Sequence, residues 1–442
     1  MSSPTAALEH LERVVGPAHL ITATGGAATL AEGVSEYRVD GQMPLAVAHP
    51  GTQEEVAALL RVAREHGLSV LPRGAGRHMH FGSVPGPIGL LLSLARLNQV
   101  VEYDANDLTI TVQAGMTLGE LARITGANRQ VLPLDPPGGE AATIGGVAAA
   151  NLAGPLRMRY GAPRDLALGL RVALSSGEVI RTGARTVKNV AGYDLTKLFV
   201  GSYGSLGAIL EVTLRLIPAP EERALFVASL APARAREVAA ALVGGRLDIA
   251  TCDLLNHESA KGMRLFLPVT LRPENVVLCV GVMGASEAVA RQERELKALL
   301  PEGVARAEVQ DLGKRVRDVA YPRSREGEEA KRRDELSVLR LSVPLTAVVD
   351  LLATISAEPG WKAAAWAGDG TVYAVGPAEV RVLMRLRGAA EKAGGYAVLE
   401  YGAPELKRSF PVWGESVANL DLMRALRRSL DPSETMGCGR LV

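Results

Sequence analysis

From Pro44 onward, short apolar runs alternate with stretches of helical periodicity. Residues 45–48 predict a strand. Thr52 and Glu55 then form a capping-box pair, and Val56, Leu59, Leu60 and Ala63 share one helical face. A second strand over 68–71 runs directly into Pro72-Arg73-Gly74-Ala75-Gly76. Strands follow at 90–93, 100–103 and 108–113, the last two joined by turn-forming Asp104, Asn106 and Asp107. Thr117 with Glu120 opens another helix carrying Leu121 and Ile124, and residues 168–174 and 178–181 predict a hairpin turning at Ser175-Ser176-Gly177.

Pro218 and Pro220, followed by Glu221, Glu222 and Arg223, mark a break. Beyond it two loosely similar blocks alternate strands (226–230, 249–255, 276–282; then 338–343, 363–367, 371–375, 397–400) with helices (234–243, 286–300; then 347–356, 378–393). Such a pattern suits an antiparallel sheet with helices on one face. Before residue 44, Ala6, Leu8, Leu11 and Val14 lie at helical spacing. The predicted organisation is therefore α+β: a lead-in over 1–43, a first domain over 44–220 and a second over 221–442.

Composition narrows the function. The 49 basic and 48 acidic residues leave a net charge of +1, which offers no footprint for nucleic acid or anionic lipid as a partner. No apolar stretch reaches the length of a membrane span, and Glu9, Glu12 and Arg13 stand where a secretory signal would be apolar, so a cytoplasmic location is expected. The three cysteines, Cys252, Cys279 and Cys438, are too dispersed for a disulfide framework, a zinc site or an iron–sulfur site.

Three segments carry candidate chemistry. Glycines in the turn 72–77 permit positive φ, so its amides can converge on a phosphate; an ordinary glycine turn uses the same residues. The turn lacks the GxGxxG spacing of a βαβ nucleotide site, which removes NAD as the default cofactor. Residues 136–151, with Pro137, Gly138, Thr143, Ile144, Gly145, Gly146, Ala149 and Asn151, present bare backbone on which a flat group or a diphosphate can lie, or else allow close helix packing. The third segment runs from Lys188 through Gly192, Tyr193 and Asp194 to Gly207 and Ile209.

In this order, PRGAG at 72–76, TIGG at 143–146, KNVAGYDLTKLFVGSYGSLG at 188–207 and ILEVTLRLIP at 209–218 are specific. Residues 44–220 resemble the FAD-binding domain of the vanillyl-alcohol-oxidase type, most closely that of FAD-binding subunits of bacterial glycolate oxidases. The likeness continues more thinly through Leu339-Arg340-Leu341, Trp366 to Gly370, Trp413-Gly414 and the end of the chain. It implies non-covalent FAD, with Pro72, Arg73, Gly74, Ala75, Gly76, Arg77 and His78 around the diphosphate. Thr143, Gly145 and Gly146 would lie along the cofactor, Gly192, Tyr193 and Asp194 in a turn beside it, and Gly207 and Ile209 would contact it by backbone.

Three departures from the family pattern bear on chemistry. Arg77 occupies the position where relatives with a covalently bound flavin carry histidine, and His78 and His80 read as surface or loop residues. The segment Trp366-Ala367-Gly368-Asp369-Gly370-Thr371 keeps the Gly-Asp-Gly of a motif whose flanking histidines bind the hydroxy acid and, in some members, a metal; both histidines are missing, so no metal is expected. The ending Gly437-Cys438-Gly439-Arg440 replaces Asn-Pro-Gly-Arg, and Cys438 reads as small filler.

The resemblance implies oxidation of a small 2-hydroxy acid at the flavin, which requires a cation for the carboxylate and a base for the hydroxyl proton. Arg340 is the candidate cation, with a structural salt bridge as its alternative role. Tyr193 and Tyr401 are the only bases on offer. Three functions follow: a subunit of a glycolate oxidase complex beside a larger flavoprotein and an iron–sulfur subunit, held at the inner membrane face through those partners; a self-sufficient D-lactate-type dehydrogenase; or a non-catalytic assembly or electron-relay subunit. The missing histidines favour the first and third.

Overall fold

The structure, a computed structural model, describes residues 4–22, 34, 36–184, 193–264, 267–307, 312–319, 335–415 and 417–441. Strands β1 (Leu20–Thr22), β2 (Ala46–Ala48), β3 (Val70–Arg73) and β4 (Leu90–Ser93) form a sheet in the order β1-β2-β4-β3. The two β4 pairings are parallel, because the helix Gln53–Glu65 returns the chain between β2 and β3. Thr52 caps that helix by accepting from the Glu55 amide at 3.1 Å, while the Glu55 carboxylate turns to the Gly51 amide at 2.6 Å. Strand β3 begins two residues later than its hydrophobic pattern suggests, which carries the sheet as far as Arg73.

Strands β5 (Val100–Asp104), β6 (Thr109–Gln113), β8 (Ala167–Ala173), β9 (Val179–Gly183) and β10 (Ala208–Arg215) form an antiparallel sheet in the order β5-β6-β10-β8-β9. The short strands β7 (Gln130–Val131) and β11 (Ile217–Pro218) pair with each other as the chain leaves this sheet.

From Glu222 the remaining strands join one sheet, as their pattern predicts. Its order is β15-β12-β14-β13-β17-β18-β16-β19, from β12 (Glu222–Leu230), β13 (Ile249–Leu255), β14 (Val276–Gly284), β15 (Ala305–Arg306), β16 (Leu336–Ser342), β17 (Lys362–Trp366), β18 (Thr371–Pro377) and β19 (Tyr396–Tyr401). The helices Pro232–Val243, Ser286–Leu299, Val348–Ser356 and Val380–Lys392 pack one face, where Leu339 and Leu341 of β16 join the apolar core. Strand alternation then turns Arg340 to the other face, toward the first two sheets. The fold is α+β, with a helix-backed antiparallel sheet in its second half. The charge run at 323–333 lies outside the described residues.

Residues 435–440 run back against the first half of the chain. The Val70 amide donates to the Thr435 carbonyl at 2.6 Å, Gly86 to Cys438 at 2.9 Å and Ser83 to Arg440 at 3.1 Å. Cys438 is buried, with φ 48°, and burial pushes its thiol up, which suits the filler role.

Gly207 sits where β10 pairs with β8; a Cβ there would stand 2.7 Å from Val172 Cγ1 and 2.9 Å from the Ala173 carbonyl oxygen. Gly207→Ala is expected to cost about 1–3 kcal/mol of stability through overpacking. Urea unfolding of the folded, flavin-loaded protein measures it, and an unchanged midpoint would remove the packing role.

Candidate functional site

The first two sheets meet along a narrow slot. One wall is the turn after β3 and the other is the helix Ile144–Ala150, which is packed on the five-stranded sheet. Of the residues expected at a cofactor, Pro72, Gly74, Ala75, Gly76, Arg77, His78, Thr143, Gly146 and Ala149 line this slot. The walls approach closely because side chains are missing. A Cβ on Gly74 would lie 2.0 Å from Thr143 Oγ1, and Gly76, at φ 76°, would put one 2.5 Å from the Arg73 guanidinium. Among the described residues no hydrogen bond takes the amides of Gly74, Ala75 or Gly76, and the Thr143 side chain makes no cap bond to its own helix. This cradle of bare amides, with a hydroxyl opposite, fits a diphosphate-bearing group.

Other expected residues lie elsewhere. Arg73 folds back over the Tyr37 ring, 4.8 Å from its centroid, and does not line the slot. Ile144 and Gly145 donate to Met116 and Ala114 (both 2.8 Å), and a Cβ on Gly145 would strike Ala114, so they fix the helix to the sheet behind it. Gly138 adopts the left-handed conformation, and the Pro137 carbonyl meets His78 Nε2 at 3.1 Å. Gly207 and Ile209 are packed in the five-stranded sheet. Tyr193 is 96% exposed, Asp194 pairs with Lys197 at 3.4 Å, and Gly192 lies outside the described residues.

His78 is not the surface residue its loop suggested. Burial, aided by Arg77, lowers its pKa to about 4 against the pull of the Pro137 carbonyl. His80 packs edge-on against Tyr401, with ring centroids 5.1 Å apart.

Tyr203 joins this slot to a cavity of about 490 Å³. At φ 54° it donates its amide to the Ala149 carbonyl (2.8 Å), and its ring meets Trp413 at 5.4 Å. Asn151, in the left-handed conformation that ends the small-residue helix, lines the same cavity and accepts from the Arg164 amide at 3.1 Å. The opposite wall is the face of the large sheet turned away from those four helices: Trp366, Thr371, Tyr373, Tyr396, Val398, Glu400 and Arg340.

Arg340 Nε meets Glu400 Oε1 at 2.5 Å in this wall, so the salt-bridge alternative is realised and the guanidinium still borders the cavity. Burial acts to lower the Arg340 pKa, but Glu400, Tyr373, Tyr203 and Tyr396 outweigh it and hold the group charged. Burial raises Glu400, partly offset by Arg340. A second cation, Arg157, reaches the cavity while pairing with Asp369 at 3.1 Å.

Neither Tyr193 nor Tyr401 lines the cavity. Sequence reasoning missed Tyr203, Tyr373, Tyr396, Glu400, Arg157 and Arg440; the last lines the slot from the returning tail. A signal was present for one group: Tyr396, Val398 and Glu400 alternate along one strand, so they share a face.

A slot of this kind, between two small sheets and facing a larger antiparallel one, suits a flavin cofactor. Residues 44–183 match the FAD binding domain family, and the chain's cofactor is FAD. Over 98% of its length it is 28% identical to glycolate oxidase subunit GlcD of Bacillus subtilis, covering 96% of that protein. A stretch of 186 residues, 42% of this chain and 39% of the relative, is 39% identical to D-2-hydroxyglutarate dehydrogenase of Xanthomonas citri pv. viticola. The solved structure of p-cresol methylhydroxylase superposes with a TM-score of 0.72 at 16% identity, covering 97% of this chain and 95% of that one, which shows the shared fold.

With a folded pKa of about 4 against 6.5 unfolded, the neutral His78 stabilises the fold above pH 6.5, and that contribution falls away as pH drops through 4. Thermal unfolding between pH 7 and pH 4 should therefore be less pH-dependent in His78→Gln than in the wild type. Parallel profiles would place His78 in solvent.

Proposed function

We propose that this chain is an FAD-dependent oxidoreductase acting on the CH–OH group of a small 2-hydroxy acid, as one subunit of a glycolate-oxidase-type complex. The observation that carries this reading is Arg340: a half-buried, charged guanidinium bordering a cavity that shares Tyr203 with the glycine slot. A carboxylate entering that cavity meets a planar donor suited to a charge-assisted hydrogen bond. The similarity to a glycolate oxidase subunit and to a D-2-hydroxyglutarate dehydrogenase supports the same substrate class.

The residues that would hold FAD are Gly74, Ala75 and Gly76 through their amides and Thr143 through its hydroxyl, with Arg77, His78, Gly146 and Ala149 along the slot and Tyr203 at its inner end. FAD supplies the hydride acceptor. The chain's own residues bind and orient: Arg340, backed by Glu400, takes the carboxylate, and Arg157 adds positive charge from the helix Arg157–Tyr160.

The similarity to a glycolate oxidase subunit supports a complex, in which an iron–sulfur partner and a larger flavoprotein subunit would carry electrons away from the flavin. No helix among the described residues is long and apolar enough to cross a membrane.

The test is the visible spectrum of the purified chain under anaerobic conditions, before and after glycolate or D-lactate. Bleaching of the flavin band is expected; a band that stays oxidised with the chain alone, yet bleaches once the complex is assembled, would assign a partner-dependent subunit. A band that never bleaches would make the chain an assembly subunit. Gly74→Val should raise the Kd for FAD at least about tenfold, a loss of about 1.4 kcal/mol, measured by titrating FAD into the apoprotein. An unchanged Kd would move the diphosphate out of this slot.

A further inference from the structure

The proposed reaction needs a group to receive the hydroxyl proton, and the family's histidines are missing from this chain. In a 2-hydroxy acid the hydroxyl sits on the carbon next to the carboxylate. The base must therefore stand beside whichever cation holds that carboxylate. On β19, Tyr396 and Glu400 share the face of Val398, and Val398 is the register partner of Arg340. The two side chains thus flank Arg340 diagonally from either side, and both line the cavity.

Glu400 is committed to the Arg340 Nε at 2.5 Å, and protonating it would discharge the pair that holds the substrate. Tyr396 is placed differently. Its ring lies with the Arg340 guanidinium 5.9 Å from the centroid, and it is 53% exposed at the cavity mouth, where a proton can be passed to water. From the geometry we infer that Tyr396 is the general base of this site, taking the hydroxyl proton of a 2-hydroxy acid whose carboxylate is held by Arg340. This rests on the function proposed above.

The step balances. The O–H bond breaks and its proton passes to the Tyr396 phenolate oxygen; the carbon–oxygen single bond becomes a carbonyl; and the α-hydrogen leaves with its electron pair for the flavin, which gains two electrons. The neutral phenol then returns the proton to solvent.

The surrounding charges support the assignment. Burial acts to raise the Tyr396 pKa, but the charge and hydrogen bond of Arg340, with Ser342 of β16 and Arg157, bring it below the ordinary tyrosine value. The other two tyrosines of the wall are driven the opposite way: burial pushes Tyr203 up to about 12 and Tyr373 further up, so both stay protonated.

The test is stopped-flow reduction of the FAD-loaded protein, in its complex where the complex is required, by glycolate or D-lactate across pH 6 to 10. The wild-type rate should rise with pH along one ionisation below the usual tyrosine range. Tyr396→Phe should lose that rise and slow reduction about 10²- to 10⁴-fold, the usual worth of a general base, while half-saturation by substrate changes little. Arg340→Gln should raise half-saturation about tenfold to a hundredfold, as expected for one charge-assisted hydrogen bond, and move the pH rise upward, because the guanidinium no longer holds the Tyr396 phenol down. A parallel ultraviolet titration, wild type minus Tyr396→Phe, should show this phenol ionising below its free value. A Tyr396→Phe protein that keeps the wild-type rate and pH rise overturns the proposal and leaves the substrate class standing. A wild-type flavin that no 2-hydroxy acid reduces removes the substrate class, and the base with it.

Discussion

The constraint on which the rest depends is the seating of the Thr143 side chain directly against the bare Cα of Gly74. Gly74 on the turn after β3 and Thr143 before the small-residue helix leave no room for one methyl group between them. That contact fixes the spacing of the two small sheets and so the width of the slot. Ala148 and Ala149 extend the same principle, since their carbonyls accept from Gly201 and Tyr203 at 3.0 and 2.8 Å and draw the next loop onto the helix. Tyr203 is thereby held in its left-handed conformation with its ring turned into the cavity.

The cavity is governed by a different economy. Burying a guanidinium and a carboxylate together rarely adds stability over apolar packing, and removing one partner costs about 3–5 kcal/mol. Arg340 and Glu400 occupy a sheet whose other face is closed by Leu339, Leu341 and four helices, so a hydrophobic pair would have satisfied the fold. Retaining charge there makes sense for a surface that must meet an anion. Asp369, on the Gly-Asp-Gly turn, serves this arrangement by holding Arg157.

The elements of the first half were readable because capping residues and periodicity agree there: Thr52 and Thr117 accept from the amides of Glu55 and Glu120, as their spacing implies. The glycine turn and the small-residue helix were readable as a pair for the same local reasons. The cavity wall was not. Arg340, Tyr396 and Glu400 become neighbours only through the β16–β19 register, and a bulge between Val338 and Leu339 sets which residues of β19 face Arg340. A sequence offers Tyr193 and Tyr401 as readily as Tyr396. Pairing across strands separates them, turning Tyr401 toward His80 and leaving Tyr193 in solvent. His78 failed as a surface residue because the loop that buries it, through Pro137, comes from a distant part of the chain.

The returning tail gives the fold an order of assembly. Val70 of β3, the strand that delivers the glycine turn, finds a hydrogen-bond partner in Thr435, and Arg440 lines the slot while its guanidinium reaches the Phe81 carbonyl and lies 3.6 Å from Asp40. Lys407, buried with its pKa drawn down to about 8, meets Asp40 as well, at 3.0 Å. During synthesis the flavin-binding sheets therefore wait for a segment encoded some 359 positions later. A nascent chain emerging from the ribosome has the sheets of the flavin domain long before it has the wall that closes it, so the cofactor's final seat is a property of the finished polypeptide and not of its first half.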